Sequence, residues 1–281
     1  MMTNWQTILT SDKLRYLNHT ENNFSAWESF AIDDALAESV NAGHSAEIIR
    51  LWRHQDTVVL GIADTRLPYL AEAAKWLLDQ GYQPVVRNSG GLAVVADQGV
   101  LNISLLLRDG QKTSIHQGYA DMVTFVRALF ANWTDQIEAF EVVGSYCPGD
   151  YDLSIGGQKF AGISQRRVRN GIAVQIYLAI EEDQQQRAKL IKEFYQIGIQ
   201  GKSTRFIYPN VDPDTMAALA TLLNVQLTVE DVINEINRHL TTHELTLDKT
   251  ALQKDELASY QIRRQQMIER NKKALGALFT E

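Results

Sequence analysis

The chain has 281 residues and a single cysteine, Cys147. One cysteine can form neither an intramolecular disulfide nor a cysteine zinc cluster, so the fold has to form without either kind of cross-link. Apolar residues make up 45% of the sequence, which is ordinary for a globular protein and too high for a disordered one. The length predicts one large domain or one domain with an extension, and the lack of disulfides favours a reducing, cytoplasmic location.

Charge and segment patterns argue against several classes of protein. The 27 basic and 34 acidic residues give a formal charge of −7, which disfavours general binding to nucleic acid or to an anionic membrane. The N-terminus lacks the basic start and apolar core of a signal peptide, and no apolar run reaches the roughly 18 residues of a membrane helix. The only close histidine pair, His239 and His243, has no carboxylate between its members, so we expect no metal site.

Helix and strand patterns alternate along the first 200 or so residues and predict an α+β fold. A capping box at Ser25 and Glu28 begins the first helix, whose apolar residues recur every three or four positions until Gly43 ends it. Further helices are expected at 69–80, 115–133 and 182–196. Strands are expected at 47–53, 57–61, 84–87, 92–95, 100–107, 141–143, 152–155, 159–167 and 172–180.

Two short turns are expected to join neighbouring strands. Gln55-Asp56 lies between the strands 47–53 and 57–61 and would connect them directly. Asn170-Gly171 is typical of a type I′ hairpin turn, because both central positions of that turn favour positive φ.

The pattern becomes helical throughout from about Asp212 onwards, with helices expected at 228–240 and 247–278. Asp212 is followed by a proline, the residue type preferred at the first helical position. We therefore expect one α+β domain over residues 1–205 and a helical C-terminal extension over 206–281 packed against it.

The run Arg87-Asn-Ser-Gly-Gly91 is the first candidate for a ligand-binding segment, and it lies between two expected strands. Paired glycines let a backbone approach a ligand closely, and the arginine supplies a donor group of fixed charge. The alternative interpretation is a tight strand connection whose arginine is merely solvated.

Cys147 lies in a second candidate segment, directly before Pro148 and Gly149. A lone cysteine is usually a small buried apolar residue, but a proline–glycine loop favours an accessible thiol. A nearby cation would promote the reactive thiolate, and Lys159 is the best local candidate because it begins a strand in an apolar setting. The alternative for Lys159 is a solvated charge on the rim of a sheet.

A third candidate is the basic cluster of Arg166, Arg167 and Arg169 in an otherwise acidic chain. These side chains either dock an acidic partner protein or protect an exposed hairpin edge from pairing with other strands. The sequence leaves both interpretations open.

Two of these segments resemble the signatures of the lipoate-protein ligase and lipoyl/octanoyl transferase superfamily. Arg87-Asn-Ser-Gly-Gly91 with Leu101-Asn-Ile-Ser104 resembles its arginine–serine–glycine signature, and Gly157-Gln-Lys-Phe-Ala-Gly162 resembles its lysine motif. The likeness covers about residues 24–200. The run 145–155 is most similar to the cysteine-dependent transferases of the superfamily, which use the glycine cleavage H protein as octanoyl donor.

The resemblance implies a fold of the biotin/lipoate ligase-transferase type, with mixed sheets flanked by helices and a tunnel for an acyl chain. It implies that Cys147 takes an octanoyl or lipoyl group as a thioester and passes it to a lysine on the lipoyl domain of a 2-oxoacid dehydrogenase subunit. Lys159 would assist proton transfer and polarise the carbonyl. The residues implied to lie near the acyl group are Arg87, Ser89, Gly90, Gly91 and Gly162. Both partner domains would be small and acidic, so the arginine cluster becomes a hypothesised docking surface.

The sequence departs from the ligases of the superfamily at two places. Leu92 replaces the third glycine of their triplet, and Ala96-Asp97 replaces a common His-Asp pair. Both changes disfavour an ATP-dependent ligase, which must hold an acyl-adenylate, so no cofactor is expected. Three alternatives stay open: octanoyl transfer from acyl carrier protein, an ATP-dependent lipoate ligase, and a non-catalytic protein that binds lipoyl domains.

Overall fold

The computed structural model describes residues 5–22, 24–108, 114–169, 171–242 and 245–281. The helices are α1 (Ala26–Asn41), α2 (Leu70–Asp79), α3 (Ile115–Leu129), α4 (Gln184–Ile199), α5 (Leu219–Leu223), α6 (Val229–Thr242) and α7 (Lys254–Leu275). The strands are β1 (Lys13–His19), β2 (Glu47–Trp52), β3 (Thr57–Leu60), β4 (Gln83–Val86), β5 (Val94–Ala96), β6 (Val100–Arg108), β7 (Glu138–Ala139), β8 (Leu153–Ile155), β9 (Gln158–Val168), β10 (Gly171–Ala179) and β11 (Thr246–Asp248). In this part of the chain no helix is both long and apolar enough to cross a membrane.

The strands form two sheets, which confirms the predicted α+β class with mixed sheets. The large sheet has the order β11-β1-β2-β6-β10-β9-β8-β7, and the small sheet has the order β4-β3-β5. In the large sheet β11, β1 and β2 run parallel and every other neighbouring pair is antiparallel. In the small sheet β3 is parallel to β4 and antiparallel to β5.

The large sheet is buried on both faces. On β10, Ala173 and Tyr177 belong to one apolar core, whereas Val174 and Ile176 belong to the other. This division follows from the alternation of side chains along a strand. The first core also contains α1, α2, α4, α7 and the small sheet, and the second contains α3 and α6. The central strands are therefore apolar on both sides, as expected for a sheet covered by helices.

The first helix forms as its sequence predicts. The carboxylate of Glu28 accepts a hydrogen bond from the backbone N–H of Ser25 at 3.0 Å, which closes the predicted capping box. Gly43 follows the helix with φ +78°, the left-handed conformation that favours glycine.

Gln55-Asp56 joins β2 to β3 as predicted, but the two strands do not pair with each other. β2 is paired with β1 and β6, so neither of its edges is free for β3. β3 instead lies at the centre of the small sheet, between β4 and β5. The turn at 55–56 thus carries the chain from one sheet to the other.

Two other local predictions are displaced along the sequence. The strand expected at 141–143 lies earlier, at β7, because the backbone N–H of Val142 is bound by the Asp152 carboxylate at 3.3 Å. The hairpin of β9 and β10 is confirmed, but Val168 pairs with Gly171, so its two-residue turn begins at Arg169, where φ is +46°. Asn170 lies outside the described residues.

The prediction that the chain is helical throughout after about Asp212 is wrong at one place. β11 adds to the edge of the large sheet, where Leu247 pairs with Leu14 and packs against the second core. The long last helix consequently begins at Lys254 and not at 247. The boundary between residues 205 and 206 stays a prediction.

A buried ion pair attaches α7 to the large sheet. The guanidinium of Arg15 on β1 donates two hydrogen bonds to the carboxylate of Glu256, at 2.6 and 2.9 Å, and both side chains are almost fully buried. Arg15 also donates to the backbone carbonyls of Thr250 and Ala251. The segment between β11 and α7 is therefore held by one charged group inside the protein.

We expect Glu256→Gln to lower the free energy of unfolding by about 3 kcal/mol, because it leaves the Arg15 charge buried without its partner. Urea unfolding monitored by circular dichroism measures the change. Asp79→Asn is the control, since it removes one member of the exposed Lys75–Asp79 pair and should cost less than about 0.5 kcal/mol. Equal losses in the two variants would contradict the prediction.

Candidate active site

A cavity of about 370 Å³ lies between the large sheet and the loops that follow β4 and precede β8. Part of its floor is a row of paired residues on four neighbouring strands, Trp52, Asn102, Tyr177 and Gly162. Paired residues of adjacent strands share one face of a sheet, so these four positions face the cavity together. Phe30, Val59 and Val94 make other parts of the wall apolar.

Gly162 keeps this floor open. A Cβ at that position would stand 2.7 Å from a ring carbon of Tyr177, closer than real Cβ contacts occur. The family resemblance implied that Gly162 is a close-approach position near an acyl group. In the structure the close approach is to the ring of Tyr177, and Gly162 lines the cavity beside it.

Cys147 lies in the wall of this cavity and is partly buried. Its Sγ accepts a hydrogen bond from the backbone N–H of Leu92 at 3.1 Å and lies 3.6 Å from Nη2 of Arg87. A backbone donor and a guanidinium directed at one sulfur stabilise a negative charge on it. Cys147 also has φ +45°, a left-handed conformation that is uncommon outside glycine and often found at functional sites.

The segment that supplies both donors is the predicted run 87–91 with Leu92. Arg87 follows β4 directly, and its guanidinium also donates to the carbonyl of Leu92 at 2.9 Å, which closes the loop on itself. Gly91 has φ +98°, and a Cβ there would overlap Nη2 of Arg87 and lie 2.9 Å from Sγ of Cys147. Any side chain at position 91 would therefore displace the guanidinium or the thiol from its present place.

Tyr195 and Asp64 hold this loop from behind. The hydroxyl of Tyr195 accepts from the N–H of Ala93 at 3.1 Å and donates to Asp64 at 2.9 Å. Asp64 in turn accepts from the N–H of Gly61 at 2.7 Å, and burial raises the pKa of this carboxyl to about 6. Sequence reasoning missed both residues, because neither belongs to a motif.

Lys159 lies below the thiol loop with its ammonium group fully buried. The ammonium donates to the carbonyl oxygens of Tyr146 and Cys147 at 2.9 and 2.8 Å and lies 2.8 Å from the carboxylate of Asp152. Burial raises the pKa of Asp152, and the charge of Lys159 opposes that rise. The cation in contact with the sulfur is Arg87, whereas Lys159 contacts the backbone of Cys147.

The remaining predicted residues divide into two groups. Gly90 lines the cavity, and Ser89 is buried beside it with its hydroxyl 3.4 Å from that of Ser164. The predicted docking cluster lies outside the cavity lining. Arg166 is ion-paired with Asp34 at 3.2 Å, Arg169 with Glu38 at 3.5 Å, and Nε of Arg167 donates to the Gln165 side chain at 3.4 Å.

The predicted absence of a metal site is tested only in part. No three His, Cys, Asp or Glu side chains cluster as metal ligands within the residues that the structure describes. His243, one of the two histidines weighed in the sequence, lies outside them.

The chain belongs to the lipoyl protein ligase A/B catalytic-domain family, whose model matches residues 25–241. Within that family it is similar to two octanoyl-[GcvH]:protein N-octanoyltransferases. That of Oceanobacillus iheyensis is 48% identical over 96% of this chain and 99% of its own, and that of Geobacillus kaustophilus is 51% identical over 90% and 89%. The predicted superfamily is thereby confirmed, and the relatives are acyltransferases by name.

Solved structures agree with the fold. A bipartite lipoate protein ligase from Thermoplasma acidophilum superposes with a TM-score of 0.66 at 17% identity, over 96% of this chain and 98% of that one. A lipoate-protein ligase A bound with ATP gives a TM-score of 0.67 at 17% identity, over 94% and 98%. The predicted ligase-transferase type of fold is confirmed.

We expect Gly91→Ala to slow alkylation of Cys147 by iodoacetamide at pH 7 at least tenfold, because the new Cβ displaces the Arg87 guanidinium from the sulfur. Intact-mass kinetics give the rate. Gly81→Ala is the matched control: Gly81 also has a positive φ, but a Cβ there meets nothing within 4 Å. Both variants should lose about 1 kcal/mol from the left-handed backbone. Equal alkylation rates would refute the proposed steric role.

We expect Tyr195→Phe to slow the same alkylation severalfold, because the loop that carries the Leu92 N–H loses its anchor at Ala93. Tyr208→Phe is the control, since the Tyr208 hydroxyl donates to the neighbouring Ala63 carbonyl at 2.7 Å without reaching that loop. Each variant should cost about 1 kcal/mol of stability in urea unfolding. A purely structural role for Tyr195 predicts that stability falls in both variants and reactivity in neither.

Proposed function

We propose that the chain carries an octanoyl or lipoyl group on Cys147. It would take the group from the lysine of the glycine cleavage H protein and deliver it to the lipoyl-domain lysine of 2-oxoacid dehydrogenase subunits. One observation carries this proposal: the Cys147 sulfur stands in the wall of the cavity and faces two hydrogen-bond donors. The acyl group and its donor are those for which the two related octanoyltransferases are named.

The proposed reaction has two halves that mirror each other. In the first, the sulfur forms a bond to the acyl carbonyl carbon, the C–N bond of the acylated lysine breaks, and the thiol proton ends on the departing amine. In the second, the amine of the acceptor lysine forms a C–N bond, the C–S bond breaks, and the amine proton returns to the sulfur. The acyl group starts and ends the reaction in an amide bond, and the thioester is the intermediate between the two amides. The thioester is therefore the species that the protein must stabilise.

The Leu92 N–H and the Arg87 guanidinium would serve both halves of the reaction. Before attack they stabilise negative charge on the sulfur, and when the thioester collapses they stabilise the same charge as it returns. Because the loop is anchored at Tyr195, these donors need little reorganisation during the reaction.

The cavity supports an acyl substrate of medium length. Its apolar walls would take the hydrocarbon chain, and an occupied cavity would exclude water that could hydrolyse the thioester. We also propose that the backbone at Gly90, Gly91 and Gly162 lies close to the bound acyl group.

Proton transfer by Lys159 stays a prediction. The ammonium has the Asp152 carboxylate, two carbonyls and, at 3.3 Å, the Ser145 hydroxyl as partners, so it would have to release one of them to exchange a proton with substrate. Its hydrogen bonds to the carbonyls of Tyr146 and Cys147 favour a second role, in which Lys159 fixes the backbone of the Cys147 loop. A cytoplasmic location and docking at Arg166, Arg167 and Arg169 are likewise carried as predictions.

The ATP-dependent ligase is the alternative least supported by the site. Leu92 stands where ligases have a third glycine, and its N–H is directed at the thiol sulfur. Acyl carrier protein as donor would use the same thioester and the same cavity, so the choice of donor rests on the named relatives.

Intact-mass analysis without ATP tests the proposal directly. Octanoylated H protein should add one octanoyl group to the wild-type chain, and a lipoyl domain added afterwards should remove it. Cys147→Ala should give no adduct, because it lacks the nucleophile; an unchanged adduct in this variant would refute the assignment. Parallel incubations use octanoyl acyl carrier protein, or octanoate with ATP. Loading by only one of these supports the corresponding alternative, and lipoyl-domain binding without any adduct supports the non-catalytic binder.

A further inference from the structure

A second groove, of about 440 Å³, lies between the segment after β3 and the C-terminal half of α7. The helix contributes residues at spacings of three and four positions, which lie on one face. The lining residues are Ile62, Thr65, Arg66, Val86, Gln266, Glu269, Arg270, Lys273 and Ala274. The proposed transfer reaction uses none of them.

The groove is positively charged although the chain as a whole is acidic. Arg66, Arg270 and Lys273 face one acidic residue, Glu269. Within the described ranges none of these three basic side chains forms an ion pair, whereas the nearby Arg166 is paired with Asp34. Nε of Arg270 is buried without a hydrogen-bond partner. Three basic side chains are therefore available to an acidic ligand at one place.

This groove and the active-site cavity are adjacent at the end of β4. Val86, the last residue of β4, lines the groove, and the next residue, Arg87, lines the cavity. On α7, Asn271 bonds to both the N–H and the carbonyl of Val86, at 2.6 and 3.2 Å. A molecule in the groove would therefore lie close to the loop that contacts the thiol.

The size and composition of the groove fit a protein surface. The cations come from two elements, the segment after β3 and α7, and the first of these also contributes Ile62, an apolar side chain that is 48% exposed. Exposed apolar area together with charged groups is typical of protein interfaces. A chain with a net charge of −7 would repel an acidic partner unless a local basic surface offset that repulsion.

We propose that this groove docks an acidic face of the carrier domain that presents the acylated lysine to Cys147. The inference rests on the proposed function and extends it, because it assigns a role to the C-terminal helix. Arg66, Arg270 and Lys273 would attract and orient the domain so that its acyl-lysine enters the adjacent cavity, which Arg87 lines.

The double charge reversal Arg270→Glu/Lys273→Glu tests the proposal, with two octanoyl donors compared. One donor is octanoylated H protein and the other is octanoyl-N-acetylcysteamine, a small thioester that needs no docking. We expect kcat/KM with the protein donor to fall roughly tenfold at low salt and its dependence on salt to weaken. Loading by the small thioester should stay within twofold of wild type.

Lys254→Glu is the matched control, because it reverses a charge on the same helix about 28 Å away from Lys273. It should change neither reaction. If small-thioester loading also falls in the double reversal, the neutral Arg270→Gln/Lys273→Gln variant decides. A neutral variant that lowers kcat/KM only with the protein donor supports docking.

Three results would overturn the proposal. If kcat/KM with the protein donor is unchanged in the double reversal or in the neutral variant, the carrier domain does not dock at this groove. ATP binding in calorimetry that the double reversal abolishes, with protein transfer unchanged, makes the groove a nucleotide site. A wild-type chain that neither donor loads refutes the proposed function, and docking with it, whereas a loaded wild type with an unaffected variant refutes docking alone.

Discussion

The buried ammonium of Lys159 is the interaction on which the arrangement of the thiol depends. An uncompensated charge inside a protein costs several kcal/mol, so the surrounding groups have to satisfy it. Here the Asp152 carboxylate and the carbonyls of Tyr146 and Cys147 do so, and they bend the backbone of the thiol loop around the ammonium. The backbone of Lys159 also binds the C-terminal half of the chain, since its carbonyl accepts from the N–H of Ala217 at 3.1 Å. One charged side chain thus joins the thiol loop to the sheet beneath it.

The thiol lies where two independently anchored loops meet. Lys159 and Asp152 hold the loop that bears Cys147, while Tyr195 and Asp64 hold the loop that bears Leu92. Neither loop contributes a catalytic arrangement alone, because the sulfur belongs to one and its hydrogen-bond donors belong to the other. The geometry around the sulfur is therefore a property of the tertiary structure and not of either motif.

Local features were predictable from the sequence, and features that depend on distant contacts were not. The capping box at Ser25 specifies the start of α1, and the run 87–91 and Cys147 identify two loops that meet in space. Arg87 and Cys147, which are in contact, are 60 positions apart in the sequence, and the hydrogen-bonded pair of Tyr195 and Asp64 is 131 positions apart. Periodicity and turn chemistry describe neighbouring residues and so contain no information about either contact. The strand β11 was missed for the same reason: three residues become a strand only because the edge of β1 is available to them.

The contact between Asn271 and Val86 has a consequence for the small sheet. β4 is an edge strand, and an exposed edge offers unpaired backbone groups to any other extended chain. The side-chain amide of Asn271 has one donor and one acceptor side, like a peptide group, and it occupies both the N–H and the carbonyl of Val86. Helix α7 thereby pairs with one residue of the strand in the way that a neighbouring strand would. At Val86, the last residue of β4, this one amide prevents another strand from adding to the edge of the small sheet.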